Sequence, residues 1–402
     1  MGRLYLIFIV LLAIANYSAN AQELPEEELQ VNISSYFDNF NVNVVYPDIS
    51  VKKSLSETTG INGRFLVDVM SCASMRSIFK NVYSTQHVKT YNNDIDAYTS
   101  ATKNLNGGGD NDPDDYRLEG TFGITHILGD WTLSLTNIYS YEKDYTSNTL
   151  IGKVSMPFAK KNTIVDVGLI RSWDKISPQV KHWTADKDVI SCDVSITQIL
   201  GKNLLSQLNL SYSNAQGFLA EPYQVVKIFD FQHEDPAYSR TVQYYEPISP
   251  EHRNRVAAGL RTIYGLSEVS SITMGYRIYR DDWEIMSHTL SALYQRSFSD
   301  DKIIMGLGFR YYTQSSAYFY KKHYDTVYSY MTVDSKMKEM YTNDIHFNIN
   351  VAGDKMPLID NEDINFISSI RFYWRHTDSP DWHSGLYDLY AYMFSIGFKY
   401  SI

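Results

Sequence analysis

Two sets of charged residues could carry chemistry, because each lies on the polar side of a two-residue alternation. The basic set lies in the C-terminal half of the chain: Arg253, Arg255, Arg261, Arg277, Arg310, Arg371 and Arg375. The acidic set lies in the N-terminal half: Asp68, Glu119, Asp166 and Asp193. Facing each other, the two sets would create a transverse field that orients polar solutes. Alternatively, they would pair across a filled interior and only stabilise it, because buried charges require partners.

A second group of carboxylates lies close enough together in the sequence that it could bind a metal ion. It follows a run of three glycines and consists of Asp110, Asp112, Asp114 and Asp115. Hard oxygen ligands at this density suit Ca²⁺, but the spacing lacks the glycine and the distant glutamate of an EF-hand loop. Pro113 interrupts the group as well. We therefore prefer a solvated loop over a weak calcium site and expect no other metal.

Hydrolytic chemistry would need a serine, a histidine and an orienting polar group close together. The best candidates for such a site are Ser287 with its neighbour His288, together with His346. No nucleophile-elbow or zinc motif accompanies these residues, so we expect no enzyme and no cofactor. The two cysteines exclude a disulfide framework and a cysteine-based metal cluster.

The elements that position these residues are strands. In the final segment, every second residue from Tyr390 to Ile402 is large and apolar, and most residues between them are small or polar. Such a segment has one apolar and one polar face. Similar alternation occurs at 30–36, 44–55, 64–76, 116–127, 131–141, 149–157, 163–173, 188–199, 204–214, 253–264, 269–280, 288–297, 303–314, 342–351, 365–375 and 388–402.

These segments predict a single antiparallel transmembrane β-barrel of about 16 strands, with about 14 as the alternative, because each has the length of a tilted membrane strand. Short polar turns alternate with longer connections, as periplasmic turns and extracellular loops do in such barrels. The long outer loops are expected at about 78–115, 215–252 and 315–340, with a shorter one at 174–187. Since the last strand runs toward the periplasm, the segment at 44–55 also runs down, and the segment at 30–36 must precede it.

Targeting and composition agree with export. Residues 1–21 have a short basic start, an apolar core and a small-residue cleavage site, which predict a cleaved signal peptide. Residues 22–29 form an acidic leader, and the barrel is expected to occupy 22–402 as one domain. Aromatic residues make up 14% of the chain, which suits the aromatic girdles of a barrel. The net charge of −10 gives no sign of the clustered positive charge that binding to nucleic acid requires.

Several stretches together resemble a family of Gram-negative outer-membrane proteins, domain of unknown function family thirty-five seventy. They are FLVDVMSCAS at 65–74, TQILGKNL at 197–204, LSYSNAQGFLAEPYQVV at 210–226, GYRIYRDDWEIMSHT at 275–289 and FRYYTQSSAYF at 309–319. The resemblance covers most of the mature chain and implies a barrel in the bacterial outer membrane. It implies no established activity and no catalytic residues.

Two functions therefore stay open at the level of sequence. The first is a porin-like or structural barrel that passes or binds small polar solutes. The second is a non-conducting scaffold that docks an envelope protein or an exported protein through its outer loops, and a lipid-acting enzyme is a distant third. Expected partners are outer-membrane lipid, the barrel-assembly machinery during biogenesis and an unidentified protein at the outer loops.

Overall fold

Sixteen strands account for most of the protein. The computed structural model describes residues 24, 26–39, 42–72, 82–83, 90–91, 115–178, 183–222, 224–230, 240–357, 359, 361–377 and 388–402. The strands are β1 (Glu28–Asp38), β2 (Val42–Ser56), β3 (Thr59–Cys72), β4 (Asp115–Leu128), β5 (Trp131–Tyr141), β6 (Tyr145–Phe158), β7 (Thr163–Ile176), β8 (Ala185–Gly201), β9 (Leu204–Gly217), β10 (His252–Ser267), β11 (Ser270–Asp281), β12 (Met286–Phe298), β13 (Ile303–Gln314), β14 (Met340–Ala352), β15 (Ile364–Thr377) and β16 (Asp388–Ser401).

These strands form one closed barrel in which each strand pairs antiparallel with its neighbours in sequence. The ring closes between β1 and β16, where Ile33 lies opposite Ile396. Closure leaves the barrel sheet without an edge strand, as a membrane barrel requires. The prediction of an antiparallel barrel with about 16 strands is confirmed, and β1 is the strand that the orientation of β16 required.

The two-residue alternation assigns one face of each strand to the outside and the other to the interior. Large apolar side chains are exposed on the outer face, for example Leu260 (51%) on β10 and Phe347 (41%) on β14. The residues between them point inward and are mostly polar or small. Because one residue of slip would exchange the two faces, this pattern also fixes the register of the strands.

The barrel has two unlike ends. At the turn end, β-strands are joined by short turns at 57–58, 129–130, 159–162, 202–203, 268–269 and 299–302 and by a longer connection at 353–363. Gly129 has a φ of 62° in one of these turns, a conformation that suits glycine. The start of β1 and the end of β16 also meet here, since the Ile402 N–H donates to the Glu27 carbonyl at 3.0 Å. No helix among the described residues is long or apolar enough to cross a membrane.

At the loop end, the longer connections pack on one another. Segments Val226–Asp230, Arg240–Tyr245, Val82–Tyr83 and Thr90–Tyr91 form a small four-stranded sheet. Beside it, buried apolar residues from two loops form a first cluster: Val226, Ile228, Tyr324, Met331 and Val333. A second cluster contains Trp283, Ile285, Ala317 and Phe319. The described parts of these loops are therefore folded structure with their own apolar cores.

Two strand boundaries differ from the sequence expectation. Strand β1 begins at Glu28, inside the expected acidic leader, because Glu28 faces inward and pairs with Lys52 at 2.6 Å and Lys399 at 2.7 Å. Strand β3 begins at Thr59 rather than at residue 64, since the glycines near its start hide the alternation. Trp283, in the connection between β11 and β12, is 2% exposed and lies in the second cluster. Residues 1–23, with the expected signal peptide, lie outside the described residues.

Candidate functional site

The candidate site is the inner wall of the barrel, because most of the sequence-predicted site residues point into it. On β10, Arg253, Arg255 and Arg261 alternate with outward Val256 and Leu260. The same parity rule places the remaining members of the basic set inside: Arg277 on β11, Arg310 on β13, and Arg371 and Arg375 on β15. Four of the seven remain accessible to solvent although they point inward: Arg261, Arg277, Arg310 and Arg371. The wall of β10–β15 therefore presents guanidinium groups to open space.

Arg253 differs from the others because it is buried in a network at the loop end. Its Nη2 donates to Asp281 Oδ2 at 2.5 Å, and Trp283 packs over the guanidinium at 4.2 Å. Asp281 also accepts hydrogen bonds from the Tyr279 hydroxyl at 2.6 Å and from the backbone N–H groups of Trp283 and Ile285. This carboxylate ties β10 and β11 to the loop that contains Trp283. Asp281 was not among the predicted site residues, although it shares the parity of Arg277 and lies one residue beyond the predicted strand.

Two arginines face a shared carboxylate further along the wall. Asp344 on β14 lies opposite Arg310 on β13, and its Oδ2 is 3.4 Å from Arg371 Nε. The other carboxylate oxygen of Asp344 contacts His346 Nδ1 at 3.1 Å. Arg310 itself has no carboxylate within ion-pair distance in the described part of the chain. Asp344 therefore contacts Arg371 and His346, and it leaves the neighbouring Arg310 without an ion pair among the described residues.

Where the predicted acids of the N-terminal half form ion pairs, the partners lie on adjacent strands and not across the barrel. Asp68 on β3 pairs with Arg117 on β4 at 2.5 Å, and Asp166 on β7 pairs with Lys153 on β6 at 3.0 Å. Asp193 also points inward, and it forms no ion pair with any described residue. Pairing across a filled interior is not found among the described residues. A barrel of this strand number is too wide for side chains of opposite walls to meet.

Five members of the basic set consequently have no carboxylate partner within the described ranges: Arg255, Arg261, Arg277, Arg310 and Arg375. The Nε atoms of Arg255 and Arg375 are buried and have no hydrogen-bond acceptor among the described residues. An unpaired charge is tolerable only where water or a mobile ion reaches it. The arrangement can attract and orient anionic groups.

Loops narrow the interior at the loop end. Inward-facing Gln314 donates from Nε2 to the carbonyls of Lys336 and Lys338 at 2.9 and 2.6 Å, which holds this loop segment against the inner wall. Beside it lies a cavity of about 560 Å³. Its lining joins strands from several parts of the ring to the loops and includes Met70, Tyr145, Lys187, Arg253, Arg255, Trp283, Asp334 and Lys336. This part of the interior therefore carries charges of both signs.

The candidates for hydrolysis do not assemble a site. Ser287 points inward and is 2% exposed, whereas His288 points outward and contacts the Tyr276 hydroxyl at 2.7 Å. Within the described ranges, no three histidine, cysteine or acidic residues are placed to hold a metal ion. Asp110, Asp112 and Asp114 lie outside the described residues. Asp115 is described only as the first residue of β4.

Solved structures that resemble the chain share its fold at very low sequence identity. A bacterial polysaccharide outer membrane secretin is 7% identical, aligns over 94% of this chain and 98% of its own, and gives a TM-score of 0.50. The Pseudomonas aeruginosa protein OccK2 (OpdF), in complex with glucuronate, is 8% identical over 96% and 100% with a TM-score of 0.44. The siderophore receptor PirA from Pseudomonas aeruginosa is 6% identical over 94% and 81% with a TM-score of 0.43.

At these identities, the similarity concerns the fold alone, which is that of outer-membrane barrels. No curated protein sequence matches the chain. The model of the family described as "Protein of unknown function (DUF3570)" matches residues 9–356, which is most of the chain. This match confirms the family resemblance expected from the sequence. The chain belongs to the DUF3570 family of outer-membrane β-barrels.

Proposed function

We propose that the protein is an outer-membrane pore whose hydrated interior admits small polar solutes. The observation that carries this proposal is the group of inward arginines without carboxylate partners, described above. Arg261, Arg277 and Arg310 are exposed to open space inside the ring. Desolvating an unpaired guanidinium costs several kcal/mol (order of magnitude), so a dry interior would be strongly destabilised by them. Water in the interior removes that cost.

The size of the barrel supports the same proposal. Barrels with roughly 16–18 strands leave an aqueous channel, whereas barrels of about eight strands are filled by side chains. We infer that the turn end faces the periplasm and the loop end faces outward, since short periplasmic turns and long outer loops are the usual asymmetry. Solutes would then enter past the loop segment held by Gln314.

A second candidate is a scaffold that docks a protein through its outer loops. It is favoured by the apolar side chains that the 315–339 loop leaves exposed: Tyr318 (49%), Val327 (41%) and Tyr330 (39%). Tyr318 and Tyr330 lie edge to face with their ring centroids 6.5 Å apart. Aromatic residues on a folded loop are common at protein interfaces. The two candidates differ in whether the isolated barrel conducts ions.

The deciding experiment is single-channel recording of the full-length purified protein in a planar lipid bilayer. The pore proposal expects discrete conductance steps and a preference for anions. Replacing both Arg310 and Arg375 by glutamine should shift the reversal potential toward cations. A unit charge about 4 Å from the ion path contributes on the order of 4 kcal/mol at a surface-like dielectric, and salt reduces this. The shift should therefore be largest at low ionic strength.

Arg296→Gln is the matched control, because Arg296 is an arginine on the outer face, stacked on Phe298 at 5.2 Å. It should leave the reversal potential unchanged. A correctly folded wild-type barrel that never conducts would refute the pore proposal and favour the scaffold. Conduction with the same reversal potential in the Arg310/Arg375 variant would show that these arginines do not face the ion path.

A further inference from the structure

The inner wall carries an unusual pair of arginines on adjacent strands. Arg261 on β10 lies opposite Gly275 on β11, and Gly259 on β10 lies opposite Arg277 on β11. The four positions form a checkerboard in which each arginine has a glycine as its direct cross-strand neighbour. Diagonal positions in such a pair are about 7–8 Å apart, within reach of long side chains. Both guanidinium groups can therefore approach the space above the two glycines.

That space is a cavity of about 380 Å³ on the inner wall of β9–β12. Besides the two arginines, its polar lining includes Asn209, Ser211, Thr289 and Ser291. Because Gly259 and Gly275 have no side chains, the wall is recessed between the arginines. A Cβ at residue 275 would lie 2.6 Å from Ser291 Oγ, so a side chain at this position would displace the hydroxyl from its place in the recess.

The polar groups of this cavity are not engaged with one another. Neither Arg261 nor Arg277 has a carboxylate partner within the described part of the chain. In the same described part, Ser211 and Thr289 make no hydrogen bond with their side chains. Ser291 Oγ donates only a long hydrogen bond of 3.5 Å to the Gly275 carbonyl. The cavity thus offers two cations and several free hydroxyl and amide groups to one ligand.

We propose that this cavity binds a small oxyanion, namely a carboxylate or a phosphate group, between Arg261 and Arg277. Guanidinium groups present paired N–H donors that match the oxygen pairs of carboxylate and phosphate. An anion between the two arginines also relieves their mutual repulsion, which no described carboxylate does. Hydroxyl groups of Ser291 and Thr289 supply further donors. The proposal rests on the hydrated interior proposed above and assigns the class of solute.

The test is isothermal titration calorimetry of the full-length barrel in detergent at low ionic strength. The probes are inorganic phosphate and, separately, malonate. We expect saturable binding of at least one probe, and the tighter probe identifies the class. Replacing Arg261 or Arg277 by glutamine should weaken binding about tenfold each, because hydrogen bonds to charged groups are the strong ones.

Two further variants separate a built site from the general field of the lumen. Arg310 lies outside the cavity lining, so Arg310→Gln changes only the surrounding field and should weaken binding clearly less than Arg261→Gln or Arg277→Gln. Gly259→Val keeps both charges but fills the recess, and should weaken binding; a Cβ at this position is in ordinary contact with its nearest atom, at 3.6 Å. Resistance of the folded barrel to SDS at room temperature verifies that each variant is folded.

Binding that survives the double replacement of Arg261 and Arg277, or that Arg310→Gln weakens equally, would overturn the assignment. So would the absence of binding by both probes to the folded wild type. The outcome is independent of conductance. A barrel that binds the anion without conducting keeps the site and loses the pore, and a barrel that conducts without binding keeps the pore and loses the site.

Discussion

Replacing Asp281 by asparagine tests whether one buried carboxylate holds the loop end together. The Asp281 side chain is fully buried and receives Arg253, Tyr279 and two backbone N–H groups. Asparagine has the same shape and keeps one acceptor oxygen for the backbone N–H groups. Its amide nitrogen, however, is a donor and would face the donors of Arg253 and Tyr279. The change therefore removes the charge partner of a buried arginine without creating a cavity.

The expected loss follows from the surroundings of Arg253. Its side chain is only 11% exposed, so water cannot replace the carboxylate. Breaking a buried ion pair by removing one partner costs about 3–5 kcal/mol. The Trp283 ring remains over the guanidinium, and a desolvated cation–π contact is worth about 2 kcal/mol. Because this contact persists in the variant, we expect a loss near the lower end of the range.

The measurement is urea-induced unfolding of the purified barrel in micelles, followed by tryptophan fluorescence, to which Trp283 contributes beside the mutated residue. The matched control is Glu362→Gln at the turn end, where Glu362 is 73% exposed and its partner Lys302 keeps a second carboxylate, Asp354. An exposed pair contributes about 0–1 kcal/mol, so the control should change little. If Asp281→Asn costs no more than this control, then Arg253 is hydrated and the loop end is not held by this network.

Three further predictions concern other parts of the barrel. Phe347→Arg places a charge on the lipid face and should cost about 2–4 kcal/mol near the midplane, whereas inward Asn348→Arg should not; equal folding yields would contradict the assignment of faces. At the turn end, a hydrogen bond from Lys302 holds the pKa of Asp354 below its ordinary value. Asp354 therefore contributes stability at pH values above its unfolded pKa of about 4, and this stability is lost as the pH falls. The free energy of urea unfolding, measured between about pH 2 and about pH 6, should depend less on pH in Lys302→Gln than in the wild type. Tyr324→Phe removes a buried hydroxyl that bonds to Phe319, Lys321 and Thr332; it should destabilise the 315–339 loop by about 1–3 kcal/mol, measurable as faster amide exchange there but not in β10, and unchanged exchange in the loop would contradict it.

The strands and their faces could be predicted because the barrel imposes one simple period on the sequence. The residues of β10 show this clearly, since Val256 and Leu260 must face lipid and so place Arg255 and Arg261 inside. The rule needs no knowledge of neighbouring strands. It fails where glycines interrupt it, as at the start of β3.

The partners of the inward charges could not be predicted, because pairing depends on register between strands. Asp166 lies directly opposite Ser155, and its ion pair with Lys153 reaches diagonally to β6. A shift of the 159–162 turn would have given Asp166 a different partner. The contacts at the loop end could not be predicted either, because Trp283 and Asp281 are held by packing between loops whose sequences have no regular period.

The uncharged inner face of strand β12 shows why the inward arginines need a functional explanation. The inward positions of β12 are Ser287, Thr289, Ser291, Leu293, Gln295 and Ser297, which carry no charge. An uncharged inner face therefore suffices for a strand of this barrel to fold and pair. Like charges on one wall repel each other and reduce stability. A scaffold that acts only through its outer loops would gain nothing from Arg261 and Arg277 beside that neutral strand. A passage for anionic solutes gains the charges that attract and orient them, and this contrast favours the pore.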